Sequence, residues 1–312
     1  MDAMAVILNA PKDLALGQVD LDTVGPADVV VAIEWSGIST GTERLLWTGE
    51  MPPFPGMGYP LIPGYESVGR VVVAGTNVDL PLGTRVFVPG ARCFGPVRGL
   101  FGGAASRVVV PAARVTPVSE TLEEEAVLFA LAATAYRAVS SGAGLPELIV
   151  GHGVLGRLIA RITMALGGRA PTVWEARSDR REGDFEYRVL PQEVDQRNDY
   201  SVICDVSGDA HILDVLTGRL TRGGEVVLAG FYSERVSFAF PPAFMREMRL
   251  RVSAEWQPDD LIGVDDLIQS GKLSLAGLIT HRAQADEAVS AYKTAFDDPA
   301  CLKMILDWRN VS

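Results

Sequence analysis

The chain has 312 residues, of which 48% are hydrophobic, and its formal net charge is −11. This length accommodates about two domains, and the excess of acids argues against nucleic acid or an anionic membrane surface as the main partner. Three widely separated cysteines, Cys93, Cys204 and Cys301, form no C-x-x-C motif, which favours a reducing compartment. No signal peptide is visible, and no apolar run reaches the ~18 residues of a spanning helix. The sequence therefore predicts a soluble, cytoplasmic protein.

Short valine-rich runs follow one another over residues 1–120, separated by glycine, proline or asparagine. They are Val29–Ile33, Ser67–Val73, Arg85–Val88 and Arg107–Val110. Closely spaced runs of this kind predict the strands of a small barrel or sandwich. We therefore assign residues 1–120 to a β-rich domain. A helix is expected to follow, with Thr121 as N-cap and Glu124 as its capping-box partner.

One apolar loop interrupts the β-rich region between Trp47 and Pro63. It contains several prolines, so a regular helix or a central strand is not expected there. Phe54, Met57 and Tyr59 lie in it together with Trp47. Two interpretations remain open. The loop packs on its own domain, or it forms a flat, adaptable wall for a large apolar ligand.

A strand, a glycine motif and a helix follow one another in the second half of the chain. The apolar run Leu148–Val150 is typical of a short buried strand. Gly151, Gly153 and Gly156 come next in G-x-G-x-x-G spacing, and apolar residues then recur three and four apart, as on one helix face. Thr172–Trp174 has the composition of the next strand. This order of elements predicts a βαβ unit.

The G-x-G-x-x-G motif predicts a dinucleotide site. Its glycines permit a tight turn, close approach of a pyrophosphate and close packing of helix against strand, while the helix N-terminus offers free N–H groups. Glu175 lies 19 residues after Gly156, near the spacing of about 20 that is typical of the acid binding the ribose hydroxyls. We expect cofactor contacts from Gly151, Gly153, Val154, Leu155, Gly156, Glu175, Arg177, Ser207 and Gly230.

The residues around the motif favour NAD over NADP. Glu175 would accept hydrogen bonds from both adenine-ribose hydroxyls and would repel a 2′-phosphate. Against this preference, Arg177, Arg180 and Arg181 follow directly and could pair with that phosphate. His152, inside the loop, either contacts the cofactor or is a solvated loop histidine.

Three later strands continue the α/β pattern. They are Tyr200–Val206, Glu225–Ala229 and Leu250–Glu255. Alternating strands and helices predict a doubly wound parallel sheet, which we assign to residues 121–262. Residues 263–312 carry a final helix and are expected to return to the first domain.

This arrangement resembles the medium-chain dehydrogenase/reductase superfamily. Residues 63–71, P-G-Y-E-S-V-G-R-V, are similar to that family's P-G-H-E-x-x-G-x-V segment, and residues 36–43, S-G-I-S-T-G-T-E, to its S-G-I-C-G-T-D segment. The resemblance implies a GroES-like barrel followed by a Rossmann domain that binds NAD. It also implies that Thr134, in L-A-A-T-A-Y, lies near the nicotinamide.

The departures from the family pattern predict a zinc-free member. Ser39 or Thr40 stands where the family has its zinc-binding cysteine, and Tyr65 stands where it has a histidine. A hydroxyl and a phenol do not replace thiolate and imidazole as zinc ligands. The four-cysteine lobe of the zinc enzymes is also absent, because only Cys93 occurs in that part of the sequence.

Residues 36–69 resemble, more closely, the dehydrogenases of bacteriochlorophyll synthesis. That resemblance implies oxidation of the 3-hydroxyethyl group of a bacteriochlorophyllide to an acetyl group. Trp47, Phe54, Met57 and Tyr59 would then contact the tetrapyrrole. Arg92 and Arg98 would meet its propionate, unless they are ordinary surface charges. A homodimer is a candidate assembly.

Two other functions remain open. One is a zinc-free NAD(P)H-dependent quinone or enone reductase of the same superfamily. The other is a non-catalytic dinucleotide-binding protein, because a glycine loop shows binding and not turnover.

The proton acceptor would come from the segments that hold zinc in other members. Ser39, Thr40, Tyr65 and Glu66 are the candidates, and Glu43 is more distant. We favour Tyr65 as hydroxyl contact and acid/base, with Thr40 or Ser39 relaying the proton to solvent. Tyr65 can act as a base only if a nearby positive charge lowers its pKa. The alternative is that Tyr65 merely fills the space left by the metal.

Overall fold

The computed structural model describes residues 1–311 of the chain. Its strands are β1 (Asp2–Ala10), β2 (Asp13–Asp20), β3 (Asp28–Ile38), β4 (Leu61–Ile62), β5 (Ser67–Ala74), β6 (Arg85–Val88), β7 (Arg98–Gly99), β8 (Arg107–Pro111), β9 (Thr116–Pro117), β10 (Leu148–Val150), β11 (Thr172–Trp174), β12 (Arg188–Leu190), β13 (Tyr200–Asp205), β14 (Leu220–Leu228), β15 (Arg249–Val252), β16 (His281–Gln284) and β17 (Met304–Asp307). Its α-helices are α1 (Thr42–Thr48), α2 (Phe129–Ser140), α3 (Val154–Ala165), α4 (Leu213–Arg219), α5 (Phe240–Arg246), α6 (Pro258–Gln269) and α7 (Ala288–Asp297).

Of the described residues, the first compact unit comprises 1–129 and 276–311. It contains a four-stranded sheet in the order β2-β1-β4-β7 and a seven-stranded sheet in the order β16-β17-β3-β5-β6-β9, with β8 also paired to β3. The β-branched run Val29–Val31 lies fully buried in the central strand β3, where such side chains pack well. Strand β17 pairs antiparallel with β3, so the last part of the chain completes this sheet.

The second compact unit comprises residues 130–275. Its six strands are all parallel and lie in the order β12-β11-β10-β13-β14-β15. Sequence order reverses between β10 and β13, which is the strand order of the Rossmann fold and creates a crevice at the carboxyl ends of these strands. Helix α3 buries Leu158, Ile159 and Ile162, the face that the sequence predicted. The predicted combination of a β-rich domain and a doubly wound sheet is confirmed.

The unit boundaries lie later in the sequence than the expected ones at 120/121 and 262/263. The 3₁₀ helix Glu120–Leu128 belongs to the first unit, where the Phe129 ring that follows it packs against Phe87 with centroids 6.1 Å apart. Helix α6 belongs to the second unit, where Asp260 pairs with Arg137 at 3.7 Å.

Some local predictions were wrong. The first two strands were not predicted, and Trp47 lies in α1 rather than in the apolar loop. Thr121 is not an N-cap: Ser119 caps the 3₁₀ helix by accepting the Thr121 N–H, and Glu124 instead pairs with Arg282. Among the described residues, no helix is both long and apolar enough to cross a membrane.

Candidate functional site

The glycine motif forms a tight turn between β10 and α3. Gly151 has φ +102°, which favours glycine. A Cβ on Gly156 would lie 1.9 Å from the Gly151 carbonyl oxygen, so only glycine permits this closure. A Cβ on Gly153 would meet nothing closer than Nη1 of Arg180, at 3.9 Å. The open space at Gly153 and the free N–H groups at the start of α3 fit a pyrophosphate.

Glu175 connects the end of β11 to the glycine loop. Its buried carboxylate accepts the Arg177 N–H and the His152 N–H, each at 2.9 Å. Each carboxylate oxygen has a further lone pair. Glu175 therefore holds the loop in place and keeps acceptor capacity for ribose hydroxyls.

The three arginines after Glu175 differ in their contacts. Arg177 pairs with Asp179 at 2.6 Å. Arg181 donates to the carbonyl oxygen of Glu175 at 2.9 Å and to that of Ala176 at 2.7 Å. These two guanidinium groups are thus engaged locally, and Arg180 is the one beside Gly153.

His152 is a buried structural side chain and not a solvated loop histidine. Its Nδ1 donates to the Arg180 carbonyl oxygen at 2.7 Å, and its Nε2 accepts from the Tyr187 hydroxyl at 2.9 Å. The Phe185 ring meets it edge-on at 4.7 Å. Burial lowers the pKa of His152 to about 4, so the imidazole is neutral at physiological pH. Nothing in the sequence around Phe185 and Tyr187 indicated this cluster.

The other predicted cofactor residues lie in the same unit. Ser207 follows β13 on an exposed turn, where its N–H donates to Asp205 at 3.0 Å. A Cβ on Gly230 would lie 3.2 Å from Val206, and one on Gly151 would also lie 3.2 Å from Val206, so these turns converge at the carboxyl edge of the sheet. Thr134 lies in α2 and donates to the Ala130 carbonyl oxygen at 2.8 Å.

Asp205 was not predicted as a site residue. It is fully buried, and Tyr232 donates to its carboxylate at 2.5 Å. Burial raises its pKa. Its position in the C-D-V-S-G sequence at the end of β13 is the signal that could have identified it.

A second group of polar residues lies in the first unit. The Tyr65 hydroxyl donates to Ser39 Oγ at 2.8 Å, and the Phe101 ring meets the Tyr65 ring edge-on at 5.3 Å. Thr40, next to Ser39, is half-buried. Burial, followed by the negative charge of Glu66, raises the pKa of Tyr65 strongly. The lowered pKa that a tyrosine base requires is therefore not provided, and Tyr65 is a neutral phenol.

Glu66 forms a buried ion pair with Lys303, which also donates to the Ile38 carbonyl oxygen at 3.1 Å. A Cβ on Gly37 would lie 2.2 Å from the Glu66 carboxylate and 3.0 Å from the Lys303 side chain, so glycine at this position is needed for the pair to form. Sequence reasoning did not identify Lys303, because β17 brings it to this site from the far end of the chain.

Glu43 is the second buried carboxyl of this group. Its Oε1 accepts the Ser39 N–H at 3.1 Å, and its Oε2 accepts the Tyr292 hydroxyl at 2.8 Å. Burial raises the pKa of Glu43 to about 7. Glu43 is therefore close to the favoured candidates rather than distant from them, while Tyr292 was not predicted as a site residue.

The residues at this position fit zinc poorly. Ser39 and Tyr65 offer a hydroxyl and a phenol that bond to each other, and Glu66 is paired with Lys303. Zinc is held by thiolate, imidazole or carboxylate ligands. Within residues 1–311, no three histidine, cysteine, aspartate or glutamate residues form a group that could hold a metal ion.

The apolar loop mostly packs on its own unit. Trp47, Met57 and Tyr59 are half-buried against the hydrophobic core, and the Tyr59 hydroxyl donates to the Leu46 carbonyl oxygen at 2.5 Å. Phe54 is the exception, with 37% of its surface exposed.

The two predicted propionate contacts, Arg92 and Arg98, are both exposed. Arg98 donates to the Tyr59 carbonyl oxygen at 3.2 Å, which places it against the apolar loop.

Comparison with known proteins identifies relatives along the whole chain. The profile of the alcohol dehydrogenase GroES-like domain matches residues 25–120. Relatives from Cereibacter sphaeroides and Rhodobacter capsulatus, both named 2-desacetyl-2-hydroxyethyl bacteriochlorophyllide A dehydrogenase, are each 56% identical to this chain, with 99% of both sequences covered. The crystal structure of an Escherichia coli alcohol dehydrogenase complexed with NADH has a TM-score of 0.84 at 20% identity, covering 98% of this chain and 99% of that one. This last similarity supports the fold.

Proposed function

The chain belongs to the medium-chain dehydrogenase/reductase family, and on that premise we propose that it oxidises the 1-hydroxyethyl group of a bacteriochlorophyllide to an acetyl group. The observation that carries this proposal is the 56% identity, over 99% of both sequences, to two bacteriochlorophyllide dehydrogenases. The glycine loop supports a nicotinamide cofactor, which accepts the hydride when bound.

The chain's own residues have to manage the proton that alcohol oxidation releases. We assign the contact with the substrate hydroxyl to Tyr65. Because its pKa is raised, Tyr65 does not act as a phenolate. Instead it receives the alcohol proton while passing its own proton to Ser39, 2.8 Å away, and Ser39 or Thr40 passes it towards solvent. Glu66, paired with Lys303, orients this region and is not the base.

We propose NAD as the cofactor in preference to NADP. Glu175 places its carboxylate beside the glycine loop, where negative charge disfavours a 2′-phosphate. Arg177 and Arg181 are engaged with local partners, which leaves Arg180 for the pyrophosphate. Comparable kcat/KM values with NAD and NADP would contradict this preference.

We propose that catalysis uses no zinc. The support is the chemistry of Ser39, Thr40 and Tyr65, which offer hydroxyl groups where zinc enzymes offer thiolate and imidazole. Elemental analysis of purified protein should find no stoichiometric zinc, and treatment with a chelator should leave turnover unchanged. One tightly held zinc per chain would refute the proposal.

The substrate surface is proposed on the apolar loop. Phe54 is exposed there, and Arg98 lies against the same loop, so a mostly apolar macrocycle and its propionate could be bound together. Trp47, Met57 and Tyr59 pack on the hydrophobic core of the unit and hold this part of the chain in place, and Arg92 is a second candidate for the propionate. Phe54→Ala should raise KM for the tetrapyrrole without changing the affinity for NAD.

A homodimer is proposed through the exposed edge of the second unit. Strand β15 ends the parallel sheet, and its Val252 is 74% exposed. Phe244 and Met245 of α5 are also strongly exposed. Such an edge can pair with a second copy of itself around a twofold axis. Light scattering should find a dimer that Val252→Lys dissociates and that Val215→Lys, an exposed change on α4, leaves intact.

We place the protein in the cytoplasm. Cys93, Cys204 and Cys301 are buried and form no disulfide in the part of the chain that the structure describes. Buried cysteines without disulfide bonds are typical of proteins in a reducing compartment.

The deciding experiment is incubation of the protein with NAD and hydroxyethyl bacteriochlorophyllide, followed by absorbance spectroscopy. We expect the acetyl product together with NADH. Reduction of quinones alone would support an enone or quinone reductase, and cofactor binding without any turnover would support a non-catalytic protein.

A further inference from the structure

A buried set of ionisable side chains surrounds Ser39 in the first unit. Glu43 and Glu66 are exposed by 1% or less, and Lys303 is the buried cation beside Glu66. Lys303 pairs directly with Glu66 and acts on Glu43 only through its charge. Since an uncompensated buried charge is costly, the carboxyl without the direct ion pair, that of Glu43, is the one whose protonated form is favoured.

Glu43 is joined directly to the backbone that carries the proposed proton relay. It accepts the Ser39 N–H at 3.1 Å. The hydroxyl of the same serine accepts the Tyr65 hydroxyl at 2.8 Å. On the other side, Tyr292 donates to Glu43 at 2.8 Å without being hydrogen-bonded to Tyr65 or Ser39. Glu43 thus lies between a distant helix and the Tyr65–Ser39 hydroxyl pair.

We propose that Glu43 is a positioning residue for the Tyr65–Ser39 pair, and that alcohol oxidation requires its carboxylate form. The inference rests on the proposed function, because it concerns the proton that this oxidation releases. An ionised Glu43 accepts the Ser39 N–H in a charge-assisted hydrogen bond, which fixes the position of the serine hydroxyl.

The charge of Glu43 also acts on the proton transfer itself. As the alcohol is oxidised, the substrate hydroxyl gives its proton to Tyr65, Tyr65 gives its own proton to Ser39, and Ser39 or Thr40 releases a proton to solvent. Positive charge develops on this hydroxyl pair during the transfer. A nearby carboxylate stabilises that charge, and it does so more strongly in a buried region than in water.

The charged and titratable groups around Glu43 come from three other parts of the unit. Tyr292 on α7 and Lys303, just before β17, favour the ionised form, whereas Glu66, just before β5, disfavours it. Tyr65 stands beside Glu66 and is neutral. Burial has the largest effect, and the resulting pKa of about 7 makes the carboxylate form increase as pH rises through neutrality.

The test is kcat for alcohol oxidation as a function of pH, from about pH 5 to about pH 9, in the wild type and two variants. In the wild type we expect kcat to rise with pH through an ionisation near neutrality. Glu43→Gln, which imitates the protonated acid, should remove this ionisation and lower kcat about tenfold at the high-pH plateau. Tyr292→Phe should move the ionisation upward by about one pH unit with little change in the plateau, because it removes a hydrogen bond to the charged form.

A purely structural role would change kcat by the same factor at every pH and would leave the ionisation in place. Glu193→Gln, the same change at an exposed carboxyl of the second unit, is the control and should behave as wild type. If the Glu43→Gln variant keeps the ionisation, or if Tyr292→Phe leaves it unmoved, the inference is overturned while the proposed function stands.

A second measurement follows the ionisation of the Glu43 carboxyl group without requiring turnover. Infrared difference spectra across the same pH range should show a buried carboxyl titrating near neutrality in the wild type and not in Glu43→Gln. Its absence from the wild type overturns the inference independently of activity. Failure of the wild type to oxidise hydroxyethyl bacteriochlorophyllide, with the infrared titration present, would instead count against the proposed function.

Discussion

The glycine loop and the polar cluster around Ser39, Tyr65, Glu43 and Glu66 differ in how the chain builds them. The loop between β10 and α3 is made by backbone, and its three glycines lie within six residues. The cluster is made by side chains, and it joins Glu43 to Tyr292, 249 residues apart, and Ile38 to Lys303, 265 residues apart. A site formed by local backbone leaves a sequence motif, whereas one assembled from distant side chains does not. The second kind is also more easily damaged, because each partner depends on tertiary structure.

The buried ion pair gives the largest expected effect. Lys303→Met should leave Glu66 without its cation in a fully buried position and should destabilise the fold by about 3–5 kcal/mol. Denaturant unfolding measures this change. Lys293→Met, at an exposed position of α7, is the control and should cost little. Equal free energies of unfolding for the two variants would show that the Lys303–Glu66 pair does not stabilise the fold.

Removing the Tyr65 hydroxyl tests the group that we expect to contact the substrate. Tyr65→Phe keeps the ring packed against Phe101 and removes the oxygen that bonds Ser39. We expect kcat to fall by about 10² or more, as for loss of a general acid/base, with the dissociation constant for NAD unchanged. A variant with wild-type kcat would leave Tyr65 as a space-filling residue only.

A smaller effect is expected at the glycine loop. Glu175→Ala removes the carboxylate that accepts two loop N–H groups and should reduce the preference for NAD over NADP about tenfold. The ratio of the two kcat/KM values measures this change. Glu182→Ala, an exposed acid in the following segment, should leave the ratio as it is.

The smallest effect is the pH dependence of stability that Glu43 introduces. Its pKa rises from 4.5 to about 7 on folding, so the folded state binds the proton more tightly than the unfolded state. The resulting stability is fully present below about pH 4.5 and is lost as pH rises through about 7. Relative to Glu43→Gln, the wild type should lose about 2 °C or more in Tm between about pH 5 and about pH 8. If the Tm values of the wild type and of Glu43→Gln change in parallel with pH, the raised pKa of Glu43 is contradicted.

Prediction from sequence succeeded where periodicity and short motifs determine structure. The strand Thr172–Trp174, the helix after Gly153 and the parallel, doubly wound character of the second unit's sheet all follow from local patterns. Prediction was less successful where a residue distant in sequence determines the contacts or the burial of a side chain. Glu124 satisfied the pattern of a capping box, yet Arg282 binds it. Burial of His152 likewise depends on Phe185 and Tyr187, which no local pattern links to it.

The position of β17 has a consequence for biosynthesis. This strand lies between β16 and β3, and the indole N–H of Trp308, just after it, donates to Ser36 at 2.8 Å. The first unit therefore has its central sheet incomplete until the ribosome has added residue 308. The second unit, residues 130–275, is continuous in sequence and can fold earlier. During synthesis the nascent chain should thus acquire the ability to bind a dinucleotide before it can acquire Lys303 beside Glu66, so cofactor affinity would precede catalysis in the life of each molecule.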